Sequence, residues 1–141
     1  MPRPRRRDAG GSLPRGVDVL VDTSVWIDHL RKDRSDLRAS LEAGEVVCHP
    51  FVVGELACGT IQKRDEVLSL LAALAQVTVA DHAEVMQLLE THQLMGKGLG
   101  WIDAHLLAST QLDGETLWTL DGPLKRVAKI VGVSLVTSPR S

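Results

Sequence analysis

The segment Val17–Ser24 limits the possible folds more than any other part of the chain. Its mainly apolar run ends in Asp22-Thr23-Ser24, a pattern typical of a short buried strand. The residues of Val25–Arg31 are compatible with a helix that begins at once. A strand followed directly by a helix indicates a parallel α/β sheet, in which ligands bind beyond the carboxyl ends of the strands. The sequence therefore places Asp22 for chemistry, or else as the cap of the following helix.

The same alternation of strands and helices continues along the chain. Further helices are predicted at Ser35–Ala43, Phe51–Gly59, Arg64–Ala75, Asp81–Leu94, Trp101–Leu112 and Leu124–Val131, and further strands at Glu45–His49, Val77–Val79, Thr116–Asp121 and Val133–Val136. Alternation of this kind favours a parallel sheet with helices on both faces. We expect an α/β fold, specifically a three-layer α/β/α sandwich around a four- or five-stranded parallel sheet.

Charge divides the chain into two parts. Residues 1–16 are rich in Pro and Gly and contain five arginines against one acid, Asp8, a net charge of +4. This composition predicts a disordered basic leader, which either contacts nucleic acid or is simply solvated. Residues 17–141 contain 11 basic and 17 acidic residues, a net charge of −6, and are long enough for one folded domain. A domain this acidic is poorly suited to bind nucleic acid by charge alone.

Cysteine content and hydropathy indicate the compartment. Cys48 and Cys58 match no zinc-binding pattern, and we expect both to be packing residues in a reducing environment. The longest uncharged run, Val67–Ala80, is too short to span a bilayer, and no signal peptide follows the basic N-terminus. These features predict a cytoplasmic protein with no membrane segment. With three Trp, one Phe and no Tyr, the chain is also a poor candidate for binding single strands by base stacking.

Four acidic residues are the candidate functional residues. Asp22 and Asp121 each follow a predicted strand, whereas Glu55 and Asp103 lie among apolar neighbours in predicted helices. Carboxylates facing a core need a partner, because desolvation and mutual repulsion raise their free energy. Oxygen ligands without a His or Cys pattern favour Mg²⁺ or Mn²⁺, which can promote phosphodiester hydrolysis. For Asp103, a simple role at the start of a helix is the alternative.

The five histidines are scattered and are interpreted as surface or packing residues: His29, His49, His82, His92 and His105.

Four segments in order carry a resemblance to a known family. They are Val21–Asp28, Gly54-Glu55-Leu56, Asp103 with Ala104 and Leu107-Ala108, and Thr119-Leu120-Asp121. Over residues 19–136 the chain resembles PIN-domain ribonucleases, specifically the VapC class of toxins from type II toxin-antitoxin systems. It departs from them after the fourth acid, where Leu124 stands at a position often aromatic in the family.

The resemblance implies a function and a set of roles. It implies a PIN-like nuclease domain over residues 17–141, acting as a Mg²⁺- or Mn²⁺-dependent endoribonuclease toxin that inhibits translation and growth and is held off by a cognate antitoxin. The implied acidic pocket consists of Asp22, Glu55, Asp103 and Asp121, with Asp22 and Asp103 as the most direct metal ligands. Ser24 and Thr119 would support the pocket by hydrogen bonds. RNA is the implied substrate.

The resemblance also implies a homodimer, in agreement with the ample apolar faces of the helices predicted at Arg64–Ala75 and Asp81–Leu94.

Two other functions remain open from the sequence. A catalytically inactive PIN-like RNA-binding module would retain the fold, although the presence of all four acids argues against it. A phosphohydrolase of another α/β class with an Asp nucleophile would usually carry a second acid two residues after Asp22, where this chain has Ser24.

Overall fold

A computed structural model describes residues 18–137. The predicted leader, residues 1–16, lies outside the described residues and stays a prediction. Within the described part the strands are β1 (Val19–Val21), β2 (Val46–Cys48), β3 (Ala75–Gln76), β4 (Thr116–Trp118) and β5 (Ser134–Leu135). The helices are α1 (Thr23–Lys32), α2 (Ser35–Glu42), α3 (Pro50–Cys58), α4 (Arg64–Ala73), α5 (His82–His92), α6 (Trp101–Asp113) and α7 (Gly122–Val131).

The five strands form one parallel sheet in the order β3-β2-β1-β4-β5. The predicted α/β fold with a five-stranded parallel sheet is confirmed. The chain builds the sheet outward from β1 to β3 and then returns to add β4 on the other side of β1. Because such crossovers are right-handed, this reversal places the connecting helices on both faces of the sheet. The strand order reverses between β1 and β4, where α/β proteins form their ligand-binding crevice.

Two of the three inner strands, β1 and β2, are buried at every position. Covered on both faces, they appear in the sequence as continuous apolar runs rather than as alternating patterns. Leu20, Trp26 and Leu117 are fully buried beside them, together with Leu106 and Leu107 of α6. The core therefore fixes β1 and β4 rigidly, and with them the residues at their carboxyl ends.

Strand β3 corrects the predicted strand at Val77–Val79. The ladder pairs Val47 with Ala75 and Cys48 with Gln76, and α4 ends at Ala73, two residues earlier than predicted. Val77 adds only one further bond, from its N–H to the Cys48 carbonyl at 3.0 Å, before the chain leaves the sheet. Val77 is apolar because it is buried just after the strand. A prediction from hydrophobicity alone therefore placed the strand too far along the chain.

The two cysteines differ in their exposure to solvent. Cys48 is buried as predicted, but Cys58 is exposed at the end of α3, so the expectation that both thiols pack inside is wrong for Cys58. A packing role cannot be read from an apolar neighbourhood at a helix end, where one face already meets solvent.

Among the helices of residues 18–137, none has the length and apolarity needed to cross a membrane.

Candidate active site

The site lies at the carboxyl ends of β1 and β4. Asp22 directly follows β1, and its N–H donates to the Trp118 carbonyl at 2.9 Å, one step beyond the ladder. Thr119 and Asp121 follow β4 in the same way. Neighbouring parallel strands end at the same edge of a sheet, so residues about 100 positions apart in the chain meet there.

Asp22 is held by two hydroxyl groups through one of its carboxylate oxygens. Oδ2 accepts hydrogen bonds from Ser24 Oγ at 2.7 Å and from Thr119 Oγ1 at 2.8 Å, and a longer one from the Ser24 N–H at 3.3 Å. No hydrogen bond from residues 18–137 engages Oδ1. The side chain is only 6% exposed. Asp22 thus caps α1 and still leaves one carboxylate oxygen without a hydrogen bond from the described residues, so the capping role does not exclude the chemical role predicted for it.

The same hydroxyl groups connect Asp22 to Asp121. Thr119 Oγ1 accepts from the Asp121 N–H at 3.0 Å, and Ser24 Oγ accepts from the Leu120 N–H at 3.0 Å. Asp121 is the N-cap of α7, with Oδ2 accepting from the Leu124 N–H at 2.9 Å. These bonds fix the turn after β4 against the start of α1. They bring Ser24 and Thr119 against Asp22, as expected for supporting residues.

Asp103 carries the electrostatic signature of the site. Its Oδ2 accepts from the Gly100 N–H at 3.1 Å at the start of α6, so it does act at a helix start. Its pKa is nevertheless raised above the ordinary 3.8, first by burial and then by the negative charges of Asp22, Asp121 and Glu55, with only partial compensation from the Gly100 N–H. The other three predicted carboxylates are therefore close enough to Asp103 to repel it.

Glu55 is an exposed member of the group. It projects from α3, and its Oε1 accepts a 2.6 Å hydrogen bond from Thr23 Oγ1 at the first residue of α1. This bond ties α3 to α1 beside Asp22. Sequence reasoning did not single out Thr23, because the threonine and its glutamate are 32 positions apart.

The family model for the PIN domain matches residues 19–130 of the chain. The chain belongs to the PIN domain family. It is also 49% identical over 118 residues to Ribonuclease VapC32 of Mycobacterium tuberculosis, from both the H37Rv and the CDC 1551 strains. That alignment covers 83% of this chain and 95% of the relative. The family assignment made from the sequence is confirmed.

Solved structures of low sequence identity agree on the fold. The chain resembles a chain of the DNA-bound VapBC from Salmonella typhimurium with a TM-score of 0.66 at 15% identity, covering 86% of this chain and 98% of the other. It resembles a chain of VapBC2 from Rickettsia felis, bound to a promoter DNA fragment, with a TM-score of 0.65 at 17% identity, covering 84% and 96%. These likenesses show that the PIN architecture extends over most of the chain.

The carboxylates of this PIN domain suit a hard cation that retains water ligands. Within residues 18–137 no group of three or more His, Cys, Asp or Glu side chains is already arranged to hold a metal ion. Mg²⁺, however, usually keeps several waters and takes only one or two carboxylates. Each of the four acids commits one oxygen to the protein, at Asp22 Oδ2, Glu55 Oε1, Asp103 Oδ2 and Asp121 Oδ2. The other oxygen of each accepts no hydrogen bond from the described residues and can serve as a ligand.

Histidines and aromatic rings gather beside the acids of the PIN domain, although they are scattered in the sequence. The Phe51 ring lies 4.6 Å from that of His105, which lies 4.8 Å from that of Trp101. His49 caps α3 through Nδ1 and lies 3.2 Å from Ser109 Oγ through Nε2. Burial lowers the His49 pKa to about 4, with a smaller contribution from His105, so the ring is neutral at pH 7. The packing role predicted for His49 and His105 agrees with their burial.

Proposed function

We propose that this PIN-domain protein is a metal-dependent endoribonuclease and the toxin component of a toxin-antitoxin pair, inhibiting translation and growth by cutting RNA. The observation that carries the proposal is that three carboxylates, Asp22, Asp121 and Glu55, act on the buried Asp103 where the strand order reverses, and that none of the four forms an ion pair within residues 18–137. A protein preserves such a cost when the charges have an external partner. The name of the 49% identical relative, a ribonuclease, supports the same activity.

The roles of the residues follow from how each carboxylate is held. Asp22 and Asp103, the least exposed, would be the direct ligands of Mg²⁺ or Mn²⁺, with Glu55 and Asp121 completing the site toward solvent. A bound ion of this kind would polarise a phosphodiester oxygen and lower the pKa of the attacking water. Ser24 and Thr119 fix the Asp22 carboxylate, and the Gly100 N–H fixes that of Asp103. These bonds keep the free oxygens oriented without a reorganisation during the reaction.

An antitoxin has a suitable docking groove on this domain. A cavity of about 1020 Å³ lies where α1 meets the α3–α4 connection, and its apolar lining includes Ile27, Leu30, Ile61, Val67 and Leu70. We propose that a small, partly disordered antitoxin folds on binding, lays an apolar segment in this groove and places a basic side chain near Asp22 and Asp103. If the purified complex cut RNA as fast as the free protein, inhibition by pocket occupation would be wrong.

The assembly and location belong to the same proposal. We propose a homodimer in the cytoplasm, because α5 and α6 leave Met86 39% and Leu112 47% exposed and both cysteines are free thiols. Light scattering at micromolar concentration measures the mass, and a monomer would contradict the dimer.

The experiment for the activity is cleavage of a labelled RNA by the purified protein with chelator, with Mg²⁺ and with Mn²⁺. We expect cleavage only with metal. An inactive RNA-binding module would bind RNA without cutting it under any of these conditions. A phosphohydrolase of another class would instead hydrolyse a small phosphate ester and leave the RNA intact.

A further inference from the structure

A second groove shares no lining residue with the apolar one and is lined by two basic side chains. Its volume is about 470 Å³, and it lies between the glycine-rich loop before α6 and one face of α7. Lys97 lines it from the loop and Arg126 from the helix. Its lining contains no Asp or Glu. We call it the Lys97–Arg126 groove.

No acid among residues 18–137 forms an ion pair with the cations of this groove. Residues 18–137 contain 10 basic and 17 acidic side chains, a net charge of −7. Three cations near the end of α1 form ion pairs: Lys32 with Asp28, Arg34 with Asp28 and Asp36, and Arg38 with Asp33. By contrast, neither Lys97 nor Arg126 forms an ion pair with any described residue. Helix α7 itself contains no acid, and its Lys125 and Lys129 lie on the neighbouring exposed stripe.

The loop and the helix that line the groove both lead, along the chain, to residues of the acidic site. Gly98 has φ +80°, and a Cβ there would lie 3.4 Å from the Pro123 Cβ, so the loop packs directly against the first turn of α7. The same loop leads into Gly100, whose N–H holds the Asp103 carboxylate. On the other wall Pro123 is two residues after Asp121. The groove therefore begins where two of the four acids are anchored.

We propose that the Lys97–Arg126 groove binds the phosphodiester backbone of the RNA next to the bond that is cut. This inference rests on the proposed ribonuclease function for the identity of the strand. Two cations that line one groove and form no ion pair with a described residue suit a phosphate, and the volume is within the range of small-molecule sites. The wall formed by Val127 and Ile130, the latter 51% exposed, offers an apolar surface to a ribose or base. In an acidic domain these cations supply the attraction that a polyanion needs.

The test uses a Lys97→Gln/Arg126→Gln double variant of the full chain and a short, labelled single-stranded RNA in chelator, where no cleavage occurs. We expect weaker binding by fluorescence anisotropy, and a slope of log affinity against log salt that falls in magnitude by about 1.4, since each single-strand phosphate contact contributes about 0.7. The conservative Lys97→Arg/Arg126→Lys variant should retain the slope. An unchanged slope in the glutamine variant, with a native melting temperature, would overturn the inference.

A matched control removes the same charge from the other groove. Arg31→Gln/Lys63→Gln changes two cations that line the apolar cavity. We expect this control to keep the wild-type salt slope. Equal slope losses in both double variants would show a general charge effect and would also overturn the inference. Loss of antitoxin affinity without loss of RNA affinity in the Lys97→Gln/Arg126→Gln variant would assign the groove to the partner instead.

Cleavage separates this inference from the proposed function. With metal, the Lys97→Gln/Arg126→Gln variant should show a raised KM and a nearly unchanged kcat, because its residues do not touch the reacting atoms. If the wild type cuts no RNA but the slope difference persists, the groove stands and the ribonuclease proposal fails. If the wild type cuts RNA and the variant has the same KM and slope, the groove inference fails alone.

Discussion

Acids in two regions of this small domain differ in their partners: Asp28, Asp33 and Asp36, around the junction of α1 and α2, pair with Lys or Arg, whereas the four acids of the candidate site pair with none among residues 18–137. Asp36 is bound by Arg34 through two hydrogen bonds of 2.8 and 3.0 Å, and Arg34 also reaches Asp28 at 3.0 Å. Asp33 pairs with Arg38 at 2.7 Å. The Arg34 hydrogen bond lowers the pKa of Asp36, and the Arg38 hydrogen bond lowers that of Asp33. For Asp28 burial opposes ionisation, but Arg34 and Lys32 outweigh it and the pKa is lowered as well.

In the candidate site the pKa shift has the opposite sign at Asp103. Burial and three neighbouring carboxylates raise the pKa of Asp103, and no Lys or Arg among residues 18–137 pairs with it. The difference is already present in the sequence, because Asp22, Glu55 and Asp103 have no Lys or Arg within four positions on either side, whereas Asp28, Asp33 and Asp36 do. Acids that are paired within the chain stabilise the fold, whereas acids without a cationic partner are available to bind a cation from outside.

Catalysis should separate the two groups most strongly. We expect Asp103→Asn to reduce RNA cleavage by more than roughly 100-fold, because loss of even an outer partner of a metal ligand typically costs 10- to 100-fold. Thr119→Val removes one of the two hydroxyl groups that donate to Asp22, and it should reduce RNA cleavage by roughly 10- to 100-fold. Asp36→Asn should cut at the wild-type rate. Initial rates with Mn²⁺ measure all three, and an active Asp103→Asn would refute the site.

Metal should stabilise only proteins with an intact acidic group. At a Mn²⁺ concentration about 100 times its dissociation constant, mass action stabilises the folded wild type by about 2.7 kcal/mol. Asp36→Asn should gain as much and Asp103→Asn much less. Thermal melts with chelator and with Mn²⁺ measure the gain. Equal gains in all three proteins would mean that the ion binds elsewhere.

Neutralising an acid in chelator should change stability with opposite signs in the two regions. Asp36→Asn loses the Arg34 pair and should be destabilised by about 1 kcal/mol, discounted for partial exposure. Asp103→Asn keeps an oxygen for the Gly100 N–H while removing the repulsion, so it should be more stable than the wild type. Urea denaturation measures both. Asp103→Ala, which also loses the cap, should fall below Asp103→Asn; a destabilised Asp103→Asn would show that the cap alone matters.

The smallest effect concerns the pH at which these differences disappear. The folded pKa of Asp103 is raised, so its penalty is present at neutral pH and is relieved as pH falls through that value toward 3.8. The folded pKa of Asp36 is lowered, so its contribution is present above 3.8 and is lost only as pH falls further. As the pH falls, the stability difference between Asp103→Asn and the wild type should therefore disappear above pH 3.8. The difference between Asp36→Asn and the wild type should disappear only below pH 3.8. Denaturation series across this range would expose the reverse order if either sign is wrong.

The sequence by itself determined the elements and the class of fold. Continuous apolar runs marked the buried strands, helical spacing marked the helices, and a strand ending in an acid occurred at both Asp22 and Asp121. Each of these signals is local, because burial on both faces of a sheet or on one face of a helix imposes a period on a short segment. The four acids could be selected for the same reason, since a carboxylate among apolar neighbours stands out within a few positions.

Only the tertiary structure decided which of these residues meet and how. The bond from Thr119 to Asp22 joins residues 97 positions apart, and Lys97 and Arg126 line one groove where the loop packs on Pro123. The position of β3 was likewise set by pairing with Val47 and Cys48 rather than by its own hydrophobicity. Such contacts depend on strand order and on the handedness of crossovers, which bring distant segments together without leaving a periodic signal in either one.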